Sequence, residues 1–558
     1  MRSKLGAGRA SFDVVTAAAL ALTVAKLIGA ALNPLHFRPL TPHDDALYVR
    51  RAVQMMHGHW VGVLDQYTLM RGPLYPLYLA FVGRSGLPLS IIEQLLICAA
   101  SFSVAREIAR FLGGDRKTTA GVYLLVLLFP FQETWSGSHL IRDNLMHVAL
   151  LVVIALGFAA WREPRLRSLL WFCLALGAMS ILREDALWLA PAAVAVIYLH
   201  SRRVFTNGGL LRVVPVLIVA FLAMIGPQLG VIALNAHYGL PARTLFDDKH
   251  FGRAHQALAR YVNDGSSSPF TFTAELQEHV AQSSPAYARV APAMAHWRDT
   301  AGVLEVDYFR FGLADALFAA GVIGERRDRN ALLDAIADEL GELCEDEARP
   351  ACHAFTGPVP MGVVRARDVL HAAARPFADP AMLFTVDVVR DTSAAEAGPV
   401  AIVDDFENVS NQNPRGASLS ADGEQVLYSS SRGVAWWWDR VLLAIAAVAM
   451  PVLRIAGLVA GVVLVRRRCT APVVAGLVLL VAAYLRAAQV ALATRFSMAY
   501  YGQFYLQSSA LLLHVATILW LVAALRMWRT ERDALPDYAA NCTRKGPMRE
   551  RLRFASPR

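Results

Sequence analysis

Apolar runs of about 18 residues or more recur along this chain, and each is long enough to cross a hydrocarbon core as a helix. That pattern restricts the fold strongly, because backbone in lipid must satisfy its own hydrogen bonds within helices or a closed barrel. The runs fall at roughly 12–33, 87–108, 118–134, 144–161, 167–182, 186–200, 213–236, 441–465, 471–490 and 504–526. Composition agrees: 56% of the 558 residues are hydrophobic and 18% are charged, against about 25% charged in soluble domains. Mean hydropathy is +0.39. The expected fold is an all-α polytopic membrane protein with about ten transmembrane helices. A shorter apolar stretch, 73–82, is too short to span and fits a re-entrant or interfacial segment. The first run follows Arg2, Lys4 and Arg9. It is too long for a signal-peptide core and no small-residue cleavage site follows it, so it reads as an uncleaved span.

Charge sets the orientation. With the N-terminus in the cytoplasm, the loops that should be basic contain Arg106, Arg110, Arg116 and Lys117; Arg162, Arg165 and Arg167; Arg202, Arg203 and Arg212; and Arg466, Arg467 and Arg468. The tail adds Arg526, Arg529, Arg532, Arg544 and Lys545. Each expected cytoplasmic loop is basic, as the positive-inside rule requires. The net charge of +9 is thereby explained by loop arginines and lysines, without nucleic-acid binding. The organisation that follows is a transmembrane module over 1–236 with a first outer loop at 34–86, and an extracytoplasmic domain, α-rich or mixed, over 237–438 between the seventh and eighth spans. The last membrane helices lie within 439–527, and a basic cytoplasmic tail covers 528–558. Trp436, Trp437 and Trp438 mark re-entry into the bilayer, where tryptophan is favoured. The location expected is a bacterial inner (cytoplasmic) membrane, with both termini cytoplasmic. Cys344 and Cys352 lie close together in the large loop, where an oxidising compartment permits a disulfide; two free thiols are the alternative.

The first outer loop carries the most chemistry. It reads Thr41-Pro42-His43-Asp44-Asp45-Ala46-Leu47-Tyr48, then Gly58-His59-Trp60, then Arg71-Gly72-Pro73-Leu74-Tyr75-Pro76. Leu47, Tyr48, Arg51, Ala52 and Met55 follow helical spacing. Asp44 and Asp45 therefore read in two ways. They cap the helix and favour its positive end, or one of them serves as a general base. A base at the membrane surface suits a lipid-phosphate donor whose tail stays in the bilayer. The departing phosphate then needs cations, and arginine can hold it through two hydrogen bonds. Arg71, Arg142, Arg183 and Arg495 lie on the expected outer side, against the inside bias, with Arg486 beside the last outer loop. Snorkelling, or local pairing such as Arg183 with Glu184 or Asp185, is the plainer explanation for any single one. Asp143 and His139 form a second acidic element. A divalent cation held by Asp44 and Asp143 is the one cofactor left open. Arg454, inside the eighth span, needs an interior partner, with Glu93 expected in that role.

These motifs resemble the GT-C superfamily of membrane glycosyltransferases, in particular the protein-mannosyltransferase and aminoarabinose-transferase-like branch (glycosyltransferase family 39-like). Those enzymes carry an acidic pair in the first outer loop, a Tyr after it, a Gly-x-Trp ending the next helix, and a basic residue before a Pro-Leu segment. The matching residues are Asp44, Asp45, Tyr48, Gly58-His59-Trp60 and Arg71-Gly72-Pro73-Leu74-Tyr75-Pro76, over roughly the first 200 residues. The resemblance implies catalysis by Asp44 or Asp45 and phosphate contact by Arg71. Arg183 matches a later basic residue more loosely. Asp143 stands where the family has a second acidic site, although Ile141-Arg142-Asp143-Asn144 departs from the commoner Ser-Glu form. The expected partners are a polyprenyl-phosphate sugar, a glycan, lipid or protein acceptor, and membrane lipids. The competing readings are a transporter or flippase of an anionic lipid, and a non-catalytic membrane assembly protein built around the large loop.

Overall fold

The structure is a computed structural model that describes residues 13–33, 35, 37, 45–61, 65, 70–131, 139–163, 165–204, 210–262, 271–298, 303–305, 309–345, 370–371, 374–375, 396–412, 417–419, 425–428, 434–496 and 506–544. Among these, helices stand at every position where the hydropathy pattern places a span. They are α1 (Val14–Leu32), α4 (Leu89–Phe111), α5 (Arg116–Leu127), α6 (Asp143–Arg162), α7 (Leu166–Leu182), α8 (Ala190–Val204) and α9 (Leu210–His237). After the large loop come α17 (Val434–Arg466), α18 (Thr470–Phe496) and α19 (Gln507–Arg544). The first outer loop supplies α2 (Asp45–Met56) and α3 (Leu74–Ser85). The apolar stretch at 73–82 thus forms a short helix of 12 residues.

Among the described residues, seven helices are long and apolar enough to cross a membrane, where about ten were expected. The shortfall lies in α5, α7 and α8. α5 has 12 residues, a rise of about 18 Å, and stops before Pro130, whose ring a continuing helix cannot accommodate. α7 has 17 residues. α8 has 15 and is preceded by a tight 3₁₀ turn, Ala186–Leu189.

The helix ends sort by charge. Lys117 pairs with Asp13 at 3.7 Å, and Glu107 draws in Arg110 at 3.0 Å and Arg162 at 2.9 Å. Arg526 donates to the Gly113 carbonyl at 2.7 Å. These contacts gather the basic loops at one end of the bundle. The first outer loop and the large loop meet at the other end. The large loop contributes α10 (Lys249–Val262), α11 (Ala274–Ser283), α12 (Pro285–Ala288), α13 (Ala291–Ala295), α14 (Phe309–Ala319), α15 (Arg326–Glu345) and α16 (Val400–Ser410). Two small antiparallel sheets accompany them. One pairs β1 (Thr271–Thr273) with β2 (Val303–Glu305); the other sets β3 (Glu396–Pro399) and β4 (Ala417–Leu419) on either side of β5 (Gln425–Tyr428). Cys344 is disulfide-bonded; its expected partner, Cys352, lies outside the described residues.

The large loop is fastened to the bundle rather than tethered above it. A single apolar core runs from the membrane helices into the loop and includes Leu79, Leu258, Phe309 and Leu333. Trp60 Nε1 donates to Asn235 Oδ1 at 3.0 Å, joining the end of α2 to the end of α9. α16 packs on α2 and α3. Phe406 stacks on Phe37 at 4.7 Å, and Asn411 Nδ2 donates to the Val82 and Leu87 carbonyls.

In the C-terminal bundle, Gly457 and Gly461 let α17 approach α19. A β-carbon at Gly457 would lie 2.4 Å from the Thr517 carbonyl oxygen, and one at Gly461 would lie 2.7 Å from the Trp520 ring. Small residues four apart serve close helix contact in membranes in this way. Gly457→Ala should therefore cost about 1–3 kcal/mol through overpacking. It should lower the melting temperature in detergent, whereas Gly230→Ala, with open space around it, should leave it nearly unchanged.

Candidate active site

The site begins at the turn that ends α7. Met179 accepts from the Arg183 amide at 2.9 Å, and the chain then leaves the helix in extended geometry. Arg183, Glu184 and Asp185 follow before the 3₁₀ turn starts at Ala186. Three consecutive charged residues between apolar helices, with Arg183 buried, need partners from elsewhere, and the fold brings them.

Glu184 joins two distant segments. Its Oε2 accepts from Arg142 Nη1 at 2.6 Å, and its Oε1 accepts from the Gly72 amide at 3.2 Å. Arg142 also donates to the Leu182 carbonyl at 3.3 Å. Arg183 is 2% exposed and pairs with Asp143 through Nη1 and with Asp185 Oδ1 through Nε at 3.0 Å. Arg486 of α18 pairs with the other oxygen of Asp185. It also donates to Gln489 Oε1 at 2.8 Å, while Gln489 Nε2 donates to the Asp185 carbonyl at 3.2 Å. Arg51 of α2 donates to the Arg71 carbonyl at 2.8 Å, and the Arg71 guanidinium lies over Phe311 of the large loop at 5.7 Å.

Gly72 explains how the first loop comes so near. A β-carbon there would sit 2.2 Å from the Ile181 carbonyl oxygen. Glycine lets the 71–73 segment lie directly against the end of α7 and donate its amide to Glu184. The amide is useful only at that distance.

Of the residues singled out in the sequence, Arg71, Arg142, Arg183 and Asp143 come together. Asp45 is buried in the first turn of α2, and Tyr48 and Tyr75 meet edge to face at 4.9 Å in the adjoining layer. Tyr48 lies within electrostatic reach of Arg142, and Asp45 within reach of Tyr75. His139 is buried, and its carbonyl accepts from Asn144 Nδ2 at 3.2 Å. His43 and Asp44 lie outside the described residues, as does the side chain of Arg495 in the last turn of α18. Among the described residues no group of three or more His, Cys, Asp or Glu side chains is arranged to hold a metal ion, and Asp143 is engaged by Arg183.

Arg454 does not pair with Glu93. Arg454 donates to the Ala510 carbonyl at 3.2 Å, while Glu93 Oε2 accepts from Asn144 Nδ2 at 3.0 Å. The helices that carry Arg454 and Glu93 bury them toward different neighbours. Sequence reasoning missed the organising role of Glu184, Gly72 and Gln489. The one available signal was the Arg-Glu-Asp run in a turn between apolar helices.

The ion pairs set the ionisation of the turn. Burial on its own would raise the Glu184 carboxyl, but Arg142 and then Arg71 outweigh it and hold it below the usual value. Burial opposes ionisation of Asp185 as well, and Arg183 and Arg486 hold it well below the ordinary carboxylate range. The Arg142 guanidinium is correspondingly pushed up by Glu184, against the opposing effect of burial.

Below the charged turn runs a groove lined wholly by apolar residues, among them Leu150, Phe158, Leu176, Leu189, Val196 and Ala482. It follows α6 from Leu150 to Trp161, about 16 Å of helix rise. Its upper end lies about one helical turn from the charged cluster. Leu189 adjoins Trp188, whose ring lies 5.8 Å from the Arg486 guanidinium, and Ala482 is one turn of α18 from Arg486. No family model, curated protein or solved structure matches this chain, so the reading of its function rests on these residues.

Two outcomes follow. Arg183→Met leaves buried Asp143 without its cation and should destabilise by about 3–5 kcal/mol; Arg183→Met with Asp143→Leu should recover most of that loss in a detergent melt. The depressed carboxylates contribute stability that is complete above their unfolded pKa values of about 4 and is lost as pH falls toward their folded values. The melting temperature should be level from pH 7 to 5 and drop below about pH 4. Glu184→Gln should remove part of the drop.

Proposed function

We propose that this chain is an integral membrane glycosyltransferase of GT-C type, which moves a sugar from a polyprenyl-phosphate donor to an acceptor at the extracytoplasmic face. The observation that carries the reading is an apolar groove whose upper end lies about one helical turn from a cluster of buried guanidinium groups. An isoprenoid tail matches the groove, and its phosphate would reach the cations without leaving the membrane surface. Four arginines, Arg71, Arg142, Arg183 and Arg486, face three carboxylates, Asp143, Glu184 and Asp185. The clustered guanidinium groups suit an anionic headgroup.

The proposed chemistry is a displacement at the anomeric carbon. Asp44 or Asp45 takes the proton of the acceptor hydroxyl, and the acceptor oxygen bonds to the anomeric carbon. The bond from that carbon to the phosphate oxygen breaks, and the lipid phosphate leaves with the electron pair. Negative charge on the phosphate grows as the bond breaks, so fixed cations act more strongly on the transition state than on the bound donor. Fastening the large loop over Arg71 would also limit water at the reacting carbon.

A transporter reading has less support. Transporters place ionisable groups at the bilayer midplane, where substrate passes. Here Lys26 donates to the Phe129 carbonyl at 3.3 Å, Arg454 to the Ala510 carbonyl, and His514 to the Leu125 carbonyl at 2.9 Å. Such contacts brace the interrupted end of α5 and the start of α19.

The test is turnover of a radiolabelled lipid-linked sugar. Asp44→Asn and Asp45→Asn should include at least one variant slowed by a hundredfold or more, in line with loss of a general base at about 10²–10⁴. Full turnover by both would remove the proposal. Ala193→Trp, which fills the groove, should raise KM for the lipid donor with little change in kcat.

A further inference from the structure

Behind the charged turn, three buried oxygens from the neighbouring helices α3 and α4 have no hydrogen-bond partner. Tyr75 and Tyr78 stand three apart on α3, with rings 6.1 Å apart, so they share a helix face. Tyr75 is 1% exposed. Neither phenol hydroxyl has a protein hydrogen-bond partner, and both are buried. Glu93 stands on α4, 2% exposed. Asn144 Nδ2 fixes its Oε2 at 3.0 Å, while its Oε1 has no protein partner. Tyr75 lies within electrostatic reach of Glu93, Tyr78, Tyr48 and Asp45, and Tyr78 within reach of Glu93.

A carboxyl oxygen and two phenols are natural partners for one another. They form no hydrogen bond with one another. Unpartnered buried polar groups are costly, and folds keep them mainly where something else supplies the partner. The partner that fits is an uncharged group bearing several hydroxyls, since each hydroxyl both donates and accepts. The Tyr48–Tyr75 pair adds aromatic surface beside them.

We propose that Tyr75, Tyr78 and Glu93 form the seat for the sugar ring of the lipid-linked donor. This rests on the donor reading above and adds a division of labour. The arginines of the charged turn take the phosphate, and the α3–α4 face recognises which sugar is attached. Glu93 Oε1 accepts from one ring hydroxyl, and the two phenols bond to others. Asn144, adjacent in sequence to Asp143, couples the two halves: it holds Glu93 from the first turn of α6, beside the Asp143–Arg183 pair. Tyr75, Tyr78 and Glu93 are thus specificity-determining residues, and a change in any of them should leave phosphate contact in place.

The experiment is direct binding by the full chain in lipid nanodiscs. The probes are tritiated farnesyl phosphate and its glucose, mannose, galactose and arabinose esters. Wild-type protein should bind at least one ester about tenfold tighter than farnesyl phosphate, the effect of one or two net hydrogen bonds. Tyr75→Phe with Tyr78→Phe should erase that preference and keep the affinity for farnesyl phosphate, which also reports that the variant is folded. Glu93→Gln, which retains the Oε1 acceptor, should narrow the preference without erasing it. An unchanged preference, an equal loss for ester and farnesyl phosphate, or no preference in the wild type overturns the sugar seat while leaving the donor reading in place. Failure of the wild type to bind any of these lipids overturns both.

Discussion

Removing a guanidinium from water beside a bilayer is so unfavourable that the fold must bring it a carboxylate with good geometry. The turn after α7 is built around that requirement. Asp185 lies between Arg183 and Arg486, and Glu184 reaches both Arg142 and the Gly72 amide. Five parts of the chain, the first loop, α6, α7, the 3₁₀ turn and α18, are held together by these contacts. Any of them shifted alone would leave a charge buried without its counterpart. The arrangement is therefore cooperative, and its rigidity follows from electrostatics as much as from packing.

The same contacts give the site its pre-organisation. Fixed cations favour an anion only if they need not rearrange to meet it. Here Arg142, Arg183 and Arg486 are each already held by a carboxylate and the Arg71 guanidinium lies over Phe311, with the groove about one helical turn away. The pairing expected as a plain alternative, Arg183 with Asp185, is present. It does not argue against an anion site, because paired guanidinium groups retain further N–H donors. The large loop contributes by position: Phe311 underlies Arg71, and α16 rests on α2 and α3. The first outer loop is thereby enclosed between membrane helices and loop domain.

Much of the helical layout was legible in the sequence. Hydropathy is a one-dimensional property, and helices stand at each position it marked. Span length was less legible, because it depends on where a helix stops. The stop of α5 short of Pro130 and the 3₁₀ turn before α8 are local geometry that an apolar average does not register. The convergence of Arg71, Arg142, Arg183 and Asp143 was readable only as shared sidedness, since each falls at the same end of the bundle. Glu93 was readable as a buried polar group, but its partner was misassigned: helix rotation, which decides whether it faces Arg454 or Asn144, is set by packing.

By itself the sequence determined that this chain enters a membrane many times, that its basic loops gather at one end, and that acidic and cationic residues collect at the other. Those follow from transfer energies that each residue carries wherever it stands. Only the tertiary structure decided which charges meet. Arg183 finds Asp143 across 40 positions, and Arg486 finds Asp185 across 301. Coulomb attraction at contact depends on separation in space, and no spacing along the chain encodes it. The close approach of Gly72 to Ile181 and Glu184 belongs to the same class: the missing side chain is visible in the sequence, but the neighbour that requires its absence is visible only in the fold.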